Sequence, residues 1–311
     1  MAVTVVGSIA FDAVRTPAGV RERMLGGAAT HFALGASFFD EVRVVGPVGD
    51  DFAPQDMEVL RARGTLVDDV ERVPGGRTFF WAGEYHDNLN RRETLTTELN
   101  VFEHFEPKLS AAAQEAEVVF LANIQPELQL EVRRQCTAAR FVAMDSMNLW
   151  INIARQALER TIRSVDCLLL NDEELEQLTG APNTPAAAEE LLGWGLKAVV
   201  AKQGKYGAAL YTPEGFFAVP AYPLARVVDP TGAGDTFAGG LVGYVAASGA
   251  KEPTLDVLAT AMAYGTALAS YNVEAFGTER VAVLTADEVF DRVIALRRMT
   301  AFEAPALALR G

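Results

Sequence analysis

The segment VVDPTGAGDTFAGG, residues 227–240, sets an acid directly behind a glycine-rich run. Asp235 follows Gly232-Ala233-Gly234, and Phe237, Leu241 and Val245 then recur every fourth position. This period predicts a buried helix with Asp235 in its first turn and the glycines as the loop that feeds it. Backbone N–H groups at a helix start are unpaired, and the helix dipole favours negative charge there. Glycine lets that backbone approach an anion closely. The acid then has two uses. It can cap the helix, or it can take a proton from a substrate hydroxyl while the N–H groups neutralise a phosphoryl group in transfer. The spacing matches neither GxxxxGK[ST] nor a GxGxxG after the first strand, which excludes a P-loop and disfavours a dinucleotide fingerprint.

Such a loop needs a scaffold, and the chain supplies one. Near-continuous apolar runs at 3–11, 42–49 and 117–123, continued by 141–145, 167–171 and 197–202, read as buried parallel strands. Helical patterns such as 31–39 and 52–64 lie between most of them. Strands alternating with helices predict an α/β fold: a mostly parallel sheet covered on both faces. Two segments break the rhythm. Residues 12–27 carry the turn signal TPAG, and residues 74–104 are rich in Thr, Phe, Trp and Tyr with rough polar alternation. Both read as antiparallel strands of a small β lid inserted into a single domain spanning 1–311.

The chain has 311 residues, half of them hydrophobic, and a formal net charge of −14. A field of that sign repels nucleic acid and anionic membrane, so a phosphate ligand must be held by local N–H groups, a few cations and a metal ion. The two cysteines, Cys136 and Cys167, form no CxxC motif. With no signal-peptide pattern and no apolar run of membrane-spanning length, a cytoplasmic protein is the default expectation.

Four motifs in order carry a family resemblance: LGGAATHFALGAS (25–37), NDEELEQLTG (171–180), KQGKYGAAL (202–210) and DPTGAGDTFAGGL (229–241). Together they resemble the ribokinase-like (PfkB-type) carbohydrate and nucleoside kinases over nearly the whole chain. The resemblance implies a three-layer α/β/α sandwich with a β lid, and ATP and Mg²⁺ as cosubstrate and cofactor. It makes Asp235 the base, with Gly232, Ala233 and Gly234 as the anion hole. Asn171 and Glu174 would lie near the metal-bound triphosphate, Glu174 acting on magnesium through water. Gly204 and Gly207 would shape the ATP site; Lys202, by its place before Gly204, would meet the nucleotide phosphates or else be a strand-end surface charge. Asp12, Gly26 and Gly27 would hold the acceptor, and Asp229 and Thr231 a monovalent cation such as K⁺.

The chain departs from the pattern at His31, where sugar kinases of this type usually carry Asn. A histidine lining the pocket would alter acceptor preference, and otherwise it is a packing residue. The lid aromatics Phe79, Phe80, Trp81 and Tyr85 would stack on a nucleobase, build the lid's own core or form a homodimer contact. Asn148 would touch a ligand or satisfy its loop. Arg91 and Arg92 read as solvated lid charges, unless one meets a phosphate or an acidic acceptor. Asp12 and Gly26-Gly27 bracket the first lid segment, whereas the nucleotide motifs lie beyond residue 170, so the lid is expected to answer to the acceptor. The expected activity is phosphorylation of a sugar or sugar derivative by ATP, with a nucleoside kinase or a non-catalytic binding regulator as alternatives.

Overall fold

The computed structural model describes residues 3–302. Thirteen strands build two sheets. The strands are β1 (Val3–Val6), β2 (Ala10–Thr16), β3 (Gly19–Gly26), β4 (Val42–Val48), β5 (Val70–Arg72), β6 (Phe79–Tyr85), β7 (Arg92–Glu98), β8 (Val118–Leu121), β9 (Phe141–Asp145), β10 (Cys167–Asn171), β11 (Ala198–Lys202), β12 (Ala208–Thr212) and β13 (Gly215–Val219). The large sheet has nine strands in the order β13-β12-β11-β10-β9-β8-β1-β4-β5, parallel except at the β11–β12 and β12–β13 pairs. The lid is a second sheet, β3-β2-β6-β7.

The apolar runs are continuous because both faces of the large sheet are covered. Val118 and Phe120 enter one hydrophobic cluster, while Val119 and Leu121 enter another on the opposite face. Val3 and Val5 separate from Val6 in the same way. This is the expected α/β/α layering. Cys136 and Cys167 are free and buried within it. No helix among the described residues is long and apolar enough to cross a membrane.

The structure corrects two details. The run 3–11 is two strands, because residues 7–9 carry the chain from the large sheet into the lid. The lid is not wholly antiparallel: its central pair, β2 and β6, runs parallel. The two lid segments enter from separate places in the chain, so no hairpin joins this pair.

Parallel strands place their carboxyl ends on one edge. Asn171 pairs with Lys202 there, and Asp145 lies opposite Leu169 at the end of the adjoining strand. Gln129, wholly buried, ties this edge together by donating Nε2 to the carbonyls of Leu121, Ala122 and Asp145. Above it, the helix Ala233–Ala247 packs against the helices Ala28–Ala36 and Leu255–Asn272. Glycines allow these close crossings. A Cβ on Gly239 would collide with the Phe32 carbonyl, and one on Gly240 would come within 2.8 Å of Gly265 Cα. Gly239→Ala must therefore force two helix backbones apart, at a cost of about 1–3 kcal/mol. Urea unfolding of the variant should show its midpoint falling with the slope unchanged; an unaltered midpoint would mean that the helices have room to spare.

Candidate active site

The glycine loop begins with Gly232 at φ 74°, in the left-handed region, as the residue preceding the helix Ala233–Ala247. Asp235 sits in the first turn of that helix, as its spacing predicts. The loop rests on His31. A Cβ on Gly232 would strike the imidazole ring, so only glycine lets the loop lie against it. His31 is 1% exposed, and its Nδ1 lies 3.1 Å from Asn272 Oδ1. The same Asn272 accepts from Thr236 Oγ1 and donates Nδ2 to the Thr231 carbonyl at 2.7 Å. Burial pushes His31 down to about 4, so the ring is neutral. Of the two readings of His31, pocket lining or packing, its burial and its contact with the loop favour packing. It is a floor beneath the anion loop, because the helix carrying it runs under the loop.

Asp235 is half-buried, and its carboxyl is pushed up to about 7 by desolvation and by Asp145, against the opposing charges of Lys202 and Arg92. Lys202 Nζ bonds Asp145 Oδ2 at 2.6 Å and would lie 3.3 Å from a Cβ on Gly234. Burial works against its charge, but Asp145, Glu174 and Asp235 outweigh that and hold the amine above its ordinary value. An ammonium thus stands beside the anion loop, with its partner acid 3% exposed.

Asp12 comes from the lid side, 5% exposed on β2 between Met24 and Trp81. Burial, then Asp229 and Asp235, push it up to about 7, while the Gly27 N–H opposes the shift. A Cβ on Gly26 would displace the Asp12 carboxylate from its present position. Gly27, at φ 96°, turns the chain into the helix Ala28–Ala36.

Asn171 and Glu174 form a capping box. Asn171 Oδ1 accepts from Glu174 N at 2.7 Å, and Glu174 Oε2 accepts from Asn171 N at 3.0 Å. Desolvation raises the Glu174 carboxyl, partly offset by Lys202. Among the described residues no group of three or more His, Cys, Asp or Glu converges as a metal site. A magnesium ion arriving with a triphosphate keeps several waters and needs few protein ligands, so one buried carboxylate beside the Lys202 ammonium fits that role. Asp229 is fully buried; its oxygens accept from Thr231 N at 2.9 Å and Gly277 N at 3.0 Å. It braces the glycine loop to the segment around Gly277. Gly204 and Gly207 both take positive φ around the turn between β11 and β12.

The residues singled out in the sequence thus gather at one sheet edge, from positions as far apart as 12 and 235. Asn148 is exposed at the start of its short helix, and Arg91 lies in the exposed lid turn. Sequence reading passed over Asp145, whose only signal is an acid closing an apolar strand, and Asn272, which carries none. It also divided the lid from the nucleotide side too sharply: Asn90 at the lid tip accepts from Lys205 N at 3.3 Å. Of the lid aromatics, Phe79 and Phe80 pack on the two main clusters, and Tyr85 with Val14 of the lid joins Phe276 of the α/β body in a small cluster between the two. Trp81 stays half-buried, its ring lying over Gly83.

Comparison with known proteins bears on the family and the fold. The profile of the pfkB family carbohydrate kinases matches residues 2–284. A cytidine kinase of Thermococcus kodakarensis is 33% identical over 250 residues, covering 77% of this chain and 87% of that protein. A deoxyribokinase of Salmonella typhi is 28% identical over 265 residues, 82% of each chain. The solved nucleoside kinase of Methanocaldococcus jannaschii shares the fold with a TM-score of 0.78, covering 94% of this chain and 98% of that one at 21% identity.

The raised acids make stability depend on pH in a stated direction. An unfolded Asp titrates near 3.8, whereas folded Asp12 and Asp235 titrate near 7. Between these values the folded state holds protons that the unfolded state has lost, so stability falls as pH rises through the window. Asp235→Asn removes the charge that burial penalises. Its Tm should exceed that of the wild type at pH 8, and the excess should shrink as pH falls through the window toward 4. A lower Tm for the variant at pH 8 would instead make the carboxylate a stabilising helix cap.

Proposed function

The chain belongs to the pfkB family of carbohydrate kinases, phosphotransferases that act on an alcohol group of a sugar or nucleoside, and on that premise we propose that it transfers the γ-phosphoryl group of ATP to a sugar hydroxyl of a nucleoside. The observation that carries the chemistry is Asp235, an acid with its pKa near 7 at the mouth of the Gly232–Gly234 loop, with Lys202 alongside. A base works best when its pKa lies near the operating pH. Asp235 takes the proton of the acceptor hydroxyl as that oxygen bonds to the γ-phosphorus. The bond from phosphorus to the bridging oxygen breaks, and ADP leaves with the electron pair. The N–H groups of the glycine loop and the Lys202 ammonium take up the charge of the phosphoryl oxygens in transfer. Magnesium bound with the triphosphate, held by Glu174 through water, would neutralise further phosphate charge. Asp12 accepts hydrogen bonds from acceptor hydroxyls, with Gly26 and Gly27 keeping the space beside it clear.

Two observations favour a nucleoside acceptor. The relative at 33% identity is named a cytidine kinase. Trp81 lies on the same lid face as Asp12, with its ring flattened over Gly83, which leaves an aromatic surface where a base could stack. A free-sugar acceptor is the second reading, favoured by the likeness to a deoxyribokinase. A non-catalytic regulator has no need of a base tuned to neutral pH.

Coupled detection of ADP release over a panel of cytidine, other nucleosides, ribose and deoxyribose tests the assignment. We expect turnover with a nucleoside to exceed that with either free sugar. Turnover with free sugars only would overturn the nucleoside reading, and turnover with no acceptor would overturn the kinase reading. The kcat/KM of the active pair should climb about tenfold per pH unit below pH 7 and level off above it, because the base must be ionised. In Asp235→Asn, kcat should drop about 10²–10⁴-fold while titration calorimetry still registers ATP binding.

A further inference from the structure

Pro230, Thr231, Gly232 and Ala233 form a tight turn, closed by Ala233 N–H donating to the Pro230 carbonyl at 3.3 Å. Gly232, its third residue, has φ 74° and ψ −1°. These are the angles of the third position of a type II turn. Type I and type II turns share their ends and differ in the peptide between the second and third residues. Turning that peptide over, by roughly 150–170° in the two flanking angles, converts one form into the other. In a trans peptide the C=O and the N–H point opposite ways. The Thr231–Gly232 peptide can therefore offer the cleft a donor, the Gly232 N–H, or an acceptor, the Thr231 oxygen.

In this structure the oxygen is turned inward. It accepts from Asn272 Nδ2 at 2.7 Å, and Asn272, wholly buried, ends the helix Leu255–Asn272. Gly232 N–H then points away from that helix, and it has no partner among the described residues. The other contacts of Thr231 act elsewhere: its N–H donates to Asp229 Oδ1, and its Oγ1 lies beside the Tyr85 hydroxyl. Among the described residues only Asn272 holds the Thr231 carbonyl.

The Asn272 amide is oriented from its other end. Its Oδ1 accepts from Thr236 Oγ1 at 3.0 Å and lies 3.1 Å from His31 Nδ1. An amide oxygen carries no proton, so the neutral His31 must carry its own on Nδ1. Two donors on Oδ1 leave Nδ2 facing Thr231. His31 Nε2 is then an acceptor, buried and without a partner among the described residues. One nitrogen of the ring stays unsatisfied, at a cost, while the other fixes the amide. The face of the same ring lies against Gly232, where a Cβ would strike it.

We infer that Asn272, oriented by His31, is a positioning residue for phosphoryl transfer: it holds the Thr231–Gly232 peptide so that the Gly232 N–H, and not the Thr231 oxygen, faces the phosphoryl group. This rests on the kinase reading. With the peptide turned over, the anion loop loses a donor and aims a carbonyl oxygen at the phosphoryl oxygens. Asn272 itself touches neither nucleotide nor acceptor and moves no proton. Its effect falls on the step in which charge builds up on the transferring group.

The test uses the full chain and compares Asn272→Ala, His31→Phe, the double variant and Ser270→Ala. Ser270 is buried on the same helix, and its hydroxyl bonds Ala267 and Arg292, away from the loop. Asn272→Ala should lower kcat about 10²-fold, in the range for losing one anion-hole donor, with both KM values within about threefold of wild type. The acid limb of its pH profile should keep the wild-type position, because the base is untouched. His31→Phe keeps a flat ring under Gly232 but removes the Nδ1 donor, and its kcat should fall about tenfold, the worth of one hydrogen bond. The double variant should lose no more than Asn272→Ala, since the two act as one unit. Ser270→Ala should keep the wild-type kcat. A crystal structure of Asn272→Ala should show Gly232 outside the left-handed region, with its peptide turned. An unchanged kcat, a loss equalled by Ser270→Ala, losses that multiply in the double variant, or a slow Asn272→Ala whose Gly232 keeps its angles would each overturn the positioning role. If Asn272→Ala does not fold, His31→Phe decides, and a kcat within about threefold of wild type overturns the role. Wild-type protein that releases no ADP with any acceptor would overturn the kinase reading instead.

Discussion

The active edge depends on holding several carboxylates in a space that water only partly reaches. Asp12, Asp145, Glu174, Asp229 and Asp235 repel one another, and burial penalises the ionised form of each group it shifts. Different elements answer different members. Lys202 bonds Asp145 directly, Asp229 is satisfied by two backbone N–H groups, and Glu174 is tied into the cap of its own helix. Asp12 and Asp235 are left least compensated, and they are the two whose values rise to about 7. A group poised to exchange a proton near neutral pH is thus a by-product of how the neighbouring charges are paired.

That arrangement needs a rigid floor. The glycine loop can turn at Gly232 only because His31 is flat and neutral beneath it, and Asn272 joins His31, Thr236 and the Thr231 carbonyl. A charged imidazole would place another cation under the loop, but burial keeps the ring unprotonated. The departure at His31 is therefore a packing solution: its ring supports the N–H groups from below and leaves the cleft face to the loop.

The lid meets both halves of the cleft. Tyr85 touches the segment before the glycine loop and Asn90 touches the turn after β11. A sheet anchored at two points can report on occupancy of either side, so acceptor and nucleotide need not act on separate parts of the protein. The parallel β2–β6 pair makes this possible, since it couples strands that enter the lid from distant parts of the chain.

Much of this was legible in the residues alone. The alternation of apolar runs with helical periods specifies a covered parallel sheet, because hydrophobic periodicity is a local property of the chain. The GAGD run likewise specifies a helix start with an acid in its first turn, since glycine's freedom and the exposed N–H groups act within a few residues. Asn171 and Glu174 entered as a pair through the family resemblance, and their three-residue spacing proves to be that of a capping box. The rest was beyond any local signal. That Asp145 pairs with Lys202, that Asn272 binds His31 across 241 positions, and that Arg92 shares a face with Tyr85 all follow from strand order and register. Those contacts join segments far apart in the chain, and only the burial of the common core brings them within reach of one another.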